Sequence, residues 1–451
     1  MANVTKLKKG LNIRLKGKAE KVLVKPELPR KFALKPTDFH NIMPKLSLRE
    51  GAVVKAGTQL CYHKYDPRII FTSPASGKIT EINRGERRRI EEIVIEAGSG
   101  MEYEDFGKAE PSGLDRHAVT EKLLKSGAWP FIRQRPYGII ANPDDTPRSF
   151  FISAFDTAPL APDYDFLMKE YGKEFQAGID ALSKLTTGKI HLNINPDYPC
   201  CDVFTKASKV QINRFTGPHP AGNVGVQIHH LAPIHKNGVV WYVNPQDVLI
   251  IGRLFLNGIF DASRIVALTG SEVLKPKYYR TYMGASIENM VRENVTTDSN
   301  LRYISGNVLT GSGIDSGGYI GFYDSQVTVI PEGDNPRFLG WAMPNIDKFS
   351  VSGTFLSWLM PGKLYRLDTN YNGGERAFVM SGEMERVLPM DLLPEHLIKA
   401  IMVGDVENME NLGIYEVIEE DLALCEFVCT SKIEVQHILR EGIQKVIEET
   451  S

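Results

Sequence analysis

The chain is poor in cysteine, with five residues scattered along 451. An odd and dispersed set argues against a disulfide framework and predicts a reducing compartment. It also lacks a basic surplus: Lys+Arg 53 against Asp+Glu 55 gives a net charge of −2. A generally basic nucleic-acid binder would show an excess of Lys and Arg, so no nucleic-acid partner is expected. No apolar run approaches the roughly 18 residues of a spanning helix. The most apolar window, Val248 to Phe260, is broken by Gly252, Arg253, Asn257 and Gly258. Residues Met1 to Gly17 alternate Lys with Leu, Ile and Val and lack the unbroken apolar segment of a secretory leader. The expectation is a soluble cytoplasmic chain of roughly two to four domains, reaching any membrane only through partner subunits.

Two further deficits concern redox chemistry. Leu424-Cys425-Glu426-Phe427-Val428-Cys429 offers two thiols where a [4Fe–4S] cluster needs four. Ser126-Gly127-Ala128-Trp129-Pro130-Phe131 lies where a glycine-rich nucleotide loop would suit, yet it holds one glycine. Both point to a redox-enzyme scaffold whose cofactor sites are emptied.

What is present divides the chain. Residues 1–100 read as short strands and turns. Gly51 to Leu60, followed by Ser73-Pro74-Ala75-Ser76-Gly77-Lys78-Ile79, resembles the half-motifs of a biotinyl/lipoyl barrel-sandwich hybrid, with glycines where corners need close backbone approach. Gly85 and Arg87-Arg88-Arg89 read as a hairpin tip before the strand Ile93-Val94-Ile95. Residues 101–260 alternate helix and strand, the mark of α/β architecture. A helix begins after Asp115 and stops at Gly127. Tyr164 to Leu185 reads as one long helix on a Leu167, Tyr171, Phe175, Ile179, Leu182 stripe. The strand Ile190, Leu192, Ile194 follows, and Asn244-Pro245 opens a helix through Phe255. Residues 261–375 start with the strand Ile265–Leu268, pass through a short helix at Ile287 to Val291, and end in an extended connection from about Pro331 to Gly374. Residues 376–451 are helical, with Val435, Ile438, Leu439, Gly442 and Val446 on one face of the last helix.

Several motifs fall short of chemistry. Thr310-Gly311-Ser312-Gly313-Ile314-Asp315-Ser316-Gly317-Gly318, after a strand at Val308-Leu309, has Ser316 where a dinucleotide fingerprint needs glycine and no Lys-Ser/Thr for a P-loop; a structural loop is favoured. His219, His229, His230 and His235 cluster without zinc-ligand spacing, and His229-His230 in a strand would point to opposite faces, so no metal is expected. Vicinal Cys200-Cys201 suit neither a disulfide nor a cluster. Lys64 sits where a carrier domain is modified but lacks the flanks its ligase reads, so a solvated lysine is favoured. Arg87-Arg88-Arg89 could meet an acidic surface or lipid headgroups, against the plainer reading of a solvated tip. Trp129, Phe131, Arg133, Arg135 and Tyr137 place aromatics beside arginines just after a helix end, which suits a quinone headgroup: flat stacking surfaces and donors for two carbonyls. Ordinary core aromatics with paired arginines explain the same residues equally well.

A set of ordered motifs resembles the family of A subunits of the sodium-translocating NADH:quinone reductases. It runs from Lys8-Lys9-Gly10-Leu11 through Phe71-Thr72-Ser73-Pro74, Ser112-Gly113-Leu114-Asp115-Arg116, Asp156-Thr157-Ala158-Pro159-Leu160 and Gly217-Pro218-His219-Pro220-Ala221-Gly222. Gly340-Trp341-Ala342-Met343-Pro344 and Asp421 to Cys429 complete it. Wider relatives are the C subunit of the Rnf complex and the flavin-bearing NADH-oxidising subunit of complex I.

The resemblance implies an α/β and α+β multidomain fold. Its parts are the N-terminal barrel-sandwich hybrid, a Rossmann-like domain of the complex I flavosubunit type with a vestigial FMN/NADH site, a β-grasp module of the SLBB type, and a helical C-terminal domain. It implies a peripheral subunit on the cytoplasmic side of the bacterial inner membrane, partnered by the B to F subunits of the complex and above all by the membrane-embedded B subunit. NADH, FAD, FMN, riboflavin, iron–sulfur and sodium chemistry would belong to those partners, with no cofactor, catalytic residue or metal on this chain and ubiquinone as a candidate ligand. The nucleotide loop would map to Gly127–Arg135, where Trp129, Phe131 and Ile132 block backbone approach to a phosphate. The alternatives are an Rnf-type carrier of flavin or iron–sulfur, a carrier modified at Lys64, and a pure assembly subunit.

Overall fold

Two small sheets face each other in the first unit of the computed structural model, which describes residues 4–236, 238–297, 300–333, 339, 346–351 and 353–450. The Gly340-to-Pro344 motif lies outside the described residues. One sheet runs in the order Lys31–Leu34, Ile90–Ala97, Gly77–Arg84, Val53–Val54; the other runs Pro44–Leu46, Gln59–His63, Ile70–Thr72. Phe32, Leu60, Phe71 and Ile93 are buried between them. A Cβ on Gly77 would overlap the Glu96 carbonyl across the ladder, so only glycine fits that corner. Lys64 is exposed, its Nζ lying 5.4 Å from the Tyr65 ring.

The first residues do not stay with this barrel. Strand Val4–Lys6 pairs parallel with Gln211–Thr216, and strand Glu20–Val24 pairs parallel with Lys277–Tyr282. The N-terminal segment therefore laces three units together. Nothing local marks this, because a short strand carries no signal for a remote partner.

The α/β unit holds a sheet ordered Val4–Lys6, Gln211–Thr216, Lys189–Ile194, Ser149–Ser153, Val240–Tyr242, Arg133–Arg135, Ile139–Ile140. The first five strands are parallel and the last two antiparallel. Helix Arg116–Ser126 starts at Asp115, whose carboxylate accepts from Ala118 N, and stops at left-handed Gly127. Helix Pro245–Asn257 starts at Asn244 with Pro245 in its first turn.

The expected helix over Tyr164–Leu185 is instead two, Tyr164–Met168 and Gly172–Leu182. Tyr171 leaves the helical turn between them: its hydroxyl bonds Arg280, and the Arg253 and Arg280 guanidiniums sit over its ring. A Cβ on Gly178 or Gly252 would strike backbone of the opposite helix, so Gly172–Leu182 and Pro245–Asn257 pack closely. Together with Phe150 and Ile152 they form one face of the sheet, while Phe151 joins the opposite core with Val226, Ile418 and Leu422.

The third sheet is ordered Ser312–Ile314, Leu301–Ser305, Gln326–Pro331, Ser263–Thr269, Lys277–Tyr282, Glu20–Val24. Val308-Leu309, expected as strand, is a turn; the glycine-rich run forms the edge hairpin closed by Ser312–Ile314. The C-terminal unit consists of helices Glu383–Val387, Pro394–Val403, Val406–Asn411, Glu419–Val428 and Val435–Thr450. The last buries Val435, Leu439, Gly442 and Val446 as its spacing predicts.

Candidate functional site

The α/β sheet reverses its winding at Ser149–Ser153. The chain adds Lys189–Ile194 and Gln211–Thr216 on one side and then returns to place Val240–Tyr242 on the other. Ligands of open α/β sheets gather outside the carboxyl ends of strands at such a reversal. A cavity of about 110 Å³ opens there. Ser153, Asp156 and Tyr164 reach it after the first of these strands, His219 after Gln211–Thr216, and Tyr242 to Asn244 after the last. Arg133, from the neighbouring antiparallel strand, Asn307, Leu309 and Thr310, from the turn that leads into the glycine-rich hairpin, and Glu420, from the C-terminal unit, line it as well.

Arg133 is the central feature. Its guanidinium lies 4.5 Å from the Tyr242 ring centre and 4.3 Å from that of Tyr323, and Nη2 donates to Asn244 Oδ1 at 3.3 Å. Its Nε finds no protein partner, and neither does the hydroxyl of Tyr242, a side chain that is 1% exposed. Burial pushes the Tyr242 hydroxyl up from its ordinary pKa, opposed by Arg133 and Arg135, so it remains a proton donor. Burial also raises the Asp156 carboxyl, against bonds from the Ala158 and Thr157 amides. His219 is held neutral, lowered by burial to about 4, with Nδ1 3.2 Å from Thr157 Oγ1. Two residues with an unpartnered donor thus line a small space that Asp156, His219 and Glu420 also wall.

The adjoining anion position is filled from within. Helix Val224–Leu231 begins at Asn223 beside the cavity, and the start of a helix attracts anions. The Asp421 carboxylate lies against Gly225 in its first turn, where a Cβ would overlap it. Asp421 accepts from Arg135 Nη1 at 2.5 Å and from Ile418 N at 2.9 Å, and Glu420 accepts from Arg135 Nη2 at 2.9 Å. Asn223 Nδ2 donates to the Glu420 carbonyl. Burial would lower the Arg135 pKa, but Asp421, Tyr242 and Glu420 outweigh it and hold the guanidinium above its usual range.

These residues do not fit a flavin nucleotide. The cavity, about 110 Å³, is well below the roughly 300–1,000 Å³ of drug-sized sites, and the Asp421 carboxylate lies at the helix start where a phosphate would go. Gly127 is no cradle either: a Cβ there would overlap Thr72. Cys425 and Cys429 are buried, and burial pushes the Cys425 thiol above its ordinary range. Among the described residues no group of three or more His, Cys, Asp and Glu could hold a metal ion. His229 and His230 lie on helix Val224–Leu231 rather than in a strand; His229 Nδ1 is 2.8 Å from Glu416 Oε2, and His230 Nε2 is 2.9 Å from the Pro389 carbonyl.

The five residues singled out from sequence are dispersed. Trp129 is fully buried, its Nε1 donating to the Ala141 carbonyl and its ring edge-on to Trp241. Phe131 stacks 4.8 Å from Phe322 in the same core. Both belong to core packing and lie outside the cavity wall. Arg133 lines it. Arg135 bridges to Glu420 and Asp421, and Tyr137 packs edge-on to Tyr415 with its carbonyl accepting from Arg440. Sequence reasoning missed Tyr164, Asp156, Tyr242 and Glu420. A usable signal lay in the Asp156 and Gly217–Gly222 motifs and in the Asn244-Pro245 helix start, all of which converge here.

Family models match in chain order. They describe an NqrA N-terminal barrel-sandwich hybrid domain over residues 5–98, an NqrA second alpha/beta domain over 114–260 and an NQRA C-terminal domain over 265–316. The chain is 39% identical over 451 residues to the A subunit of the Na(+)-translocating NADH-quinone reductase of Neisseria meningitidis serogroup B, covering 98% of this chain and 99% of the relative. It is 38% identical over 449 residues to that of Haemophilus influenzae strain 86-028NP, again covering 98% and 99%. A solved NAD+-reducing [NiFe]-hydrogenase overlaps 75% of this chain and 62% of its own at 12% identity, with a TM-score of 0.40, too low to support an argument. The near full-length identities decide the matter: the chain belongs to the family of Na(+)-translocating NADH-quinone reductase A subunits.

Proposed function

We infer that the chain is a peripheral subunit of a sodium-translocating NADH:quinone reductase, contributing a docking platform and a quinone contact while the flavins and iron–sulfur centre reside on its partners. Kinship along nearly the whole length supports the subunit role. No helix among the described residues is long and apolar enough to cross a membrane, which accords with a peripheral place. We assign that place to the cytoplasmic side, against the membrane-embedded B subunit. In this reading the second unit is a Rossmann-like domain with its nucleotide site closed, and the unit from Ile265 is a β-grasp module.

The observation that carries the quinone contact is the unpartnered Tyr242 hydroxyl beside Arg133, two residues that line the same cavity. A quinone carbonyl would accept from either donor. A role in assembly alone requires no unpartnered buried donors on the residues of a cavity, and this favours the binding role over pure assembly. The test is Arg133→Gln in the assembled complex, with quinone KM and NADH oxidation by a soluble acceptor measured together. Losing a charged donor costs roughly 1.5–3 kcal/mol, a rise in quinone KM on the order of 10- to 100-fold, with acceptor-linked NADH oxidation unchanged. An unchanged quinone KM would remove the contact from this cavity.

A further inference from the structure

The longest hairpin of the first unit, Gly77–Arg84 paired with Ile90–Ala97, ends in a turn whose residues run Gly85-Glu86-Arg87-Arg88-Arg89. With Arg84 at its base, four arginines are exposed around one tip. None makes an ion pair with a carboxylate of the described residues; Arg84 Nη1 donates only to the Arg88 carbonyl, at 3.1 Å. Residues 84–89 hold four Arg and one Glu, while Glu81, Glu91 and Glu92 stand on the strands behind the turn. The tip is thus a cationic point on a protein without general basicity.

The backbone supplies a second, independent sign. Arg87 and Arg88 stand at φ 52° and 62°, both left-handed, and the turn closes through Arg89 N to the Glu86 carbonyl at 3.0 Å. Such a two-residue turn favours Asn-Gly because both positions require positive φ. Side chains bearing Cβ there cost roughly 1–2 kcal/mol each, and strain of this kind clusters at sites of function. Gly85 N to the Arg89 carbonyl and Arg88 N to the Gly85 carbonyl pin the turn further. The fold accepts this cost to hold arginines outward on a convex point.

We propose that this tip docks on a bilayer surface by binding the phosphates of anionic lipid headgroups. Guanidinium forks match phosphate oxygens two at a time, and three of the four arginines stand in the turn itself with a single carboxylate, Glu86. A convex tip one turn wide can press onto a planar headgroup layer, whereas an acidic protein would need a concave cup shaped to receive it. The composition gives no reason to invoke nucleic acid.

The test uses the full chain and sedimentation with vesicles of phosphatidylcholine alone or doped with phosphatidylglycerol. Wild type should bind the doped vesicles and leave the plain ones, weakening as salt rises. In Arg87→Asn/Arg88→Gly the turn receives its preferred residues, so thermal stability should hold or rise while partition falls roughly 30-fold, at about 1 kcal/mol per arginine near the surface. Millimolar inorganic phosphate should compete only through ionic strength, matching an equal addition of chloride salt. Equal binding by variant and wild type, binding to neutral vesicles, no binding at all, or specific displacement by free phosphate would each overturn the proposal. So would a variant that keeps vesicle binding but no longer co-purifies with partner subunits, because the tip would then serve a protein surface.

Discussion

Replacing Arg135 with methionine tests how the C-terminal helices are fastened to the α/β sheet. Arg135 and Asp421 are both fully buried, and the guanidinium reaches Asp421 at 2.5 Å, Glu420 at 2.9 Å and the Glu416 carbonyl at 3.3 Å. Methionine keeps much of the length and none of the charge, leaving the Asp421 carboxylate buried without its cation. Breaking a buried pair in this way costs about 3–5 kcal/mol, far more than the intact pair contributes against an apolar replacement. The loss should appear in the urea transition reporting on helices Glu419–Val428 and Val435–Thr450. Amide hydrogen exchange should rise there while strands Gly77–Arg84 and Ile90–Ala97 stay protected. Arg135→Met/Asp421→Leu should be less destabilised than the two single losses added, by about 0.5–3 kcal/mol of coupling. A single-variant loss below about 1 kcal/mol, the ordinary value of an exposed pair, would refute the reasoning.

Trp129→Ala should destabilise the chain by about 3–5 kcal/mol, as expected for a large core aromatic, read as an earlier urea midpoint; a surface-like loss would contradict its placement in the core. The pH response of His191 should be visible by difference. Burial lowers its pKa to about 4, with Lys189 adding and the Asn213 bond opposing. The folded state then binds fewer protons than the unfolded state between about pH 6.5 and 4. The histidine's contribution is complete above that window and is lost as pH falls through it. Because buried Asp38 and Asp247, each raised by burial to about 6, act in the opposite sense over part of the same range, the measurement is wild type against His191→Gln. Wild type should lose stability relative to the variant as pH falls through the window, and parallel profiles would refute it.

Local chemistry made much of the fold legible. Asp115 with Gly127 bound their helix because caps act within one turn of chain, and Asn244-Pro245 marks the start of the next because proline suits the first helical position. The alternation Ile190, Leu192, Ile194 marks a strand because the pleat alternates faces. The site was less legible, for the same physical reason. Arg133 and Arg135 share a strand face, which spacing foretells, yet what they meet is decided by Tyr242, Asn244 and Glu420, which lie far away in sequence. Trp129 and Phe131 read equally well as a binding surface or as core until Trp241 and Phe322 close over them. The break at Tyr171 was hidden because Arg280, in another unit, draws that ring out of the helix. Bulk at Trp129, Phe131 and Ile132 is core packing rather than a wall against phosphate, and the group found at the start of helix Val224–Leu231 is the Asp421 carboxylate, which lies against Gly225.

That filled anion position is the central claim, and the most direct measurement is a titration of the purified chain with FMN, followed by flavin fluorescence and by the visible spectrum of the protein before any addition. A colourless protein and no saturable quenching are predicted. A stoichiometric flavin, carried through purification or bound on titration, would contradict the claim.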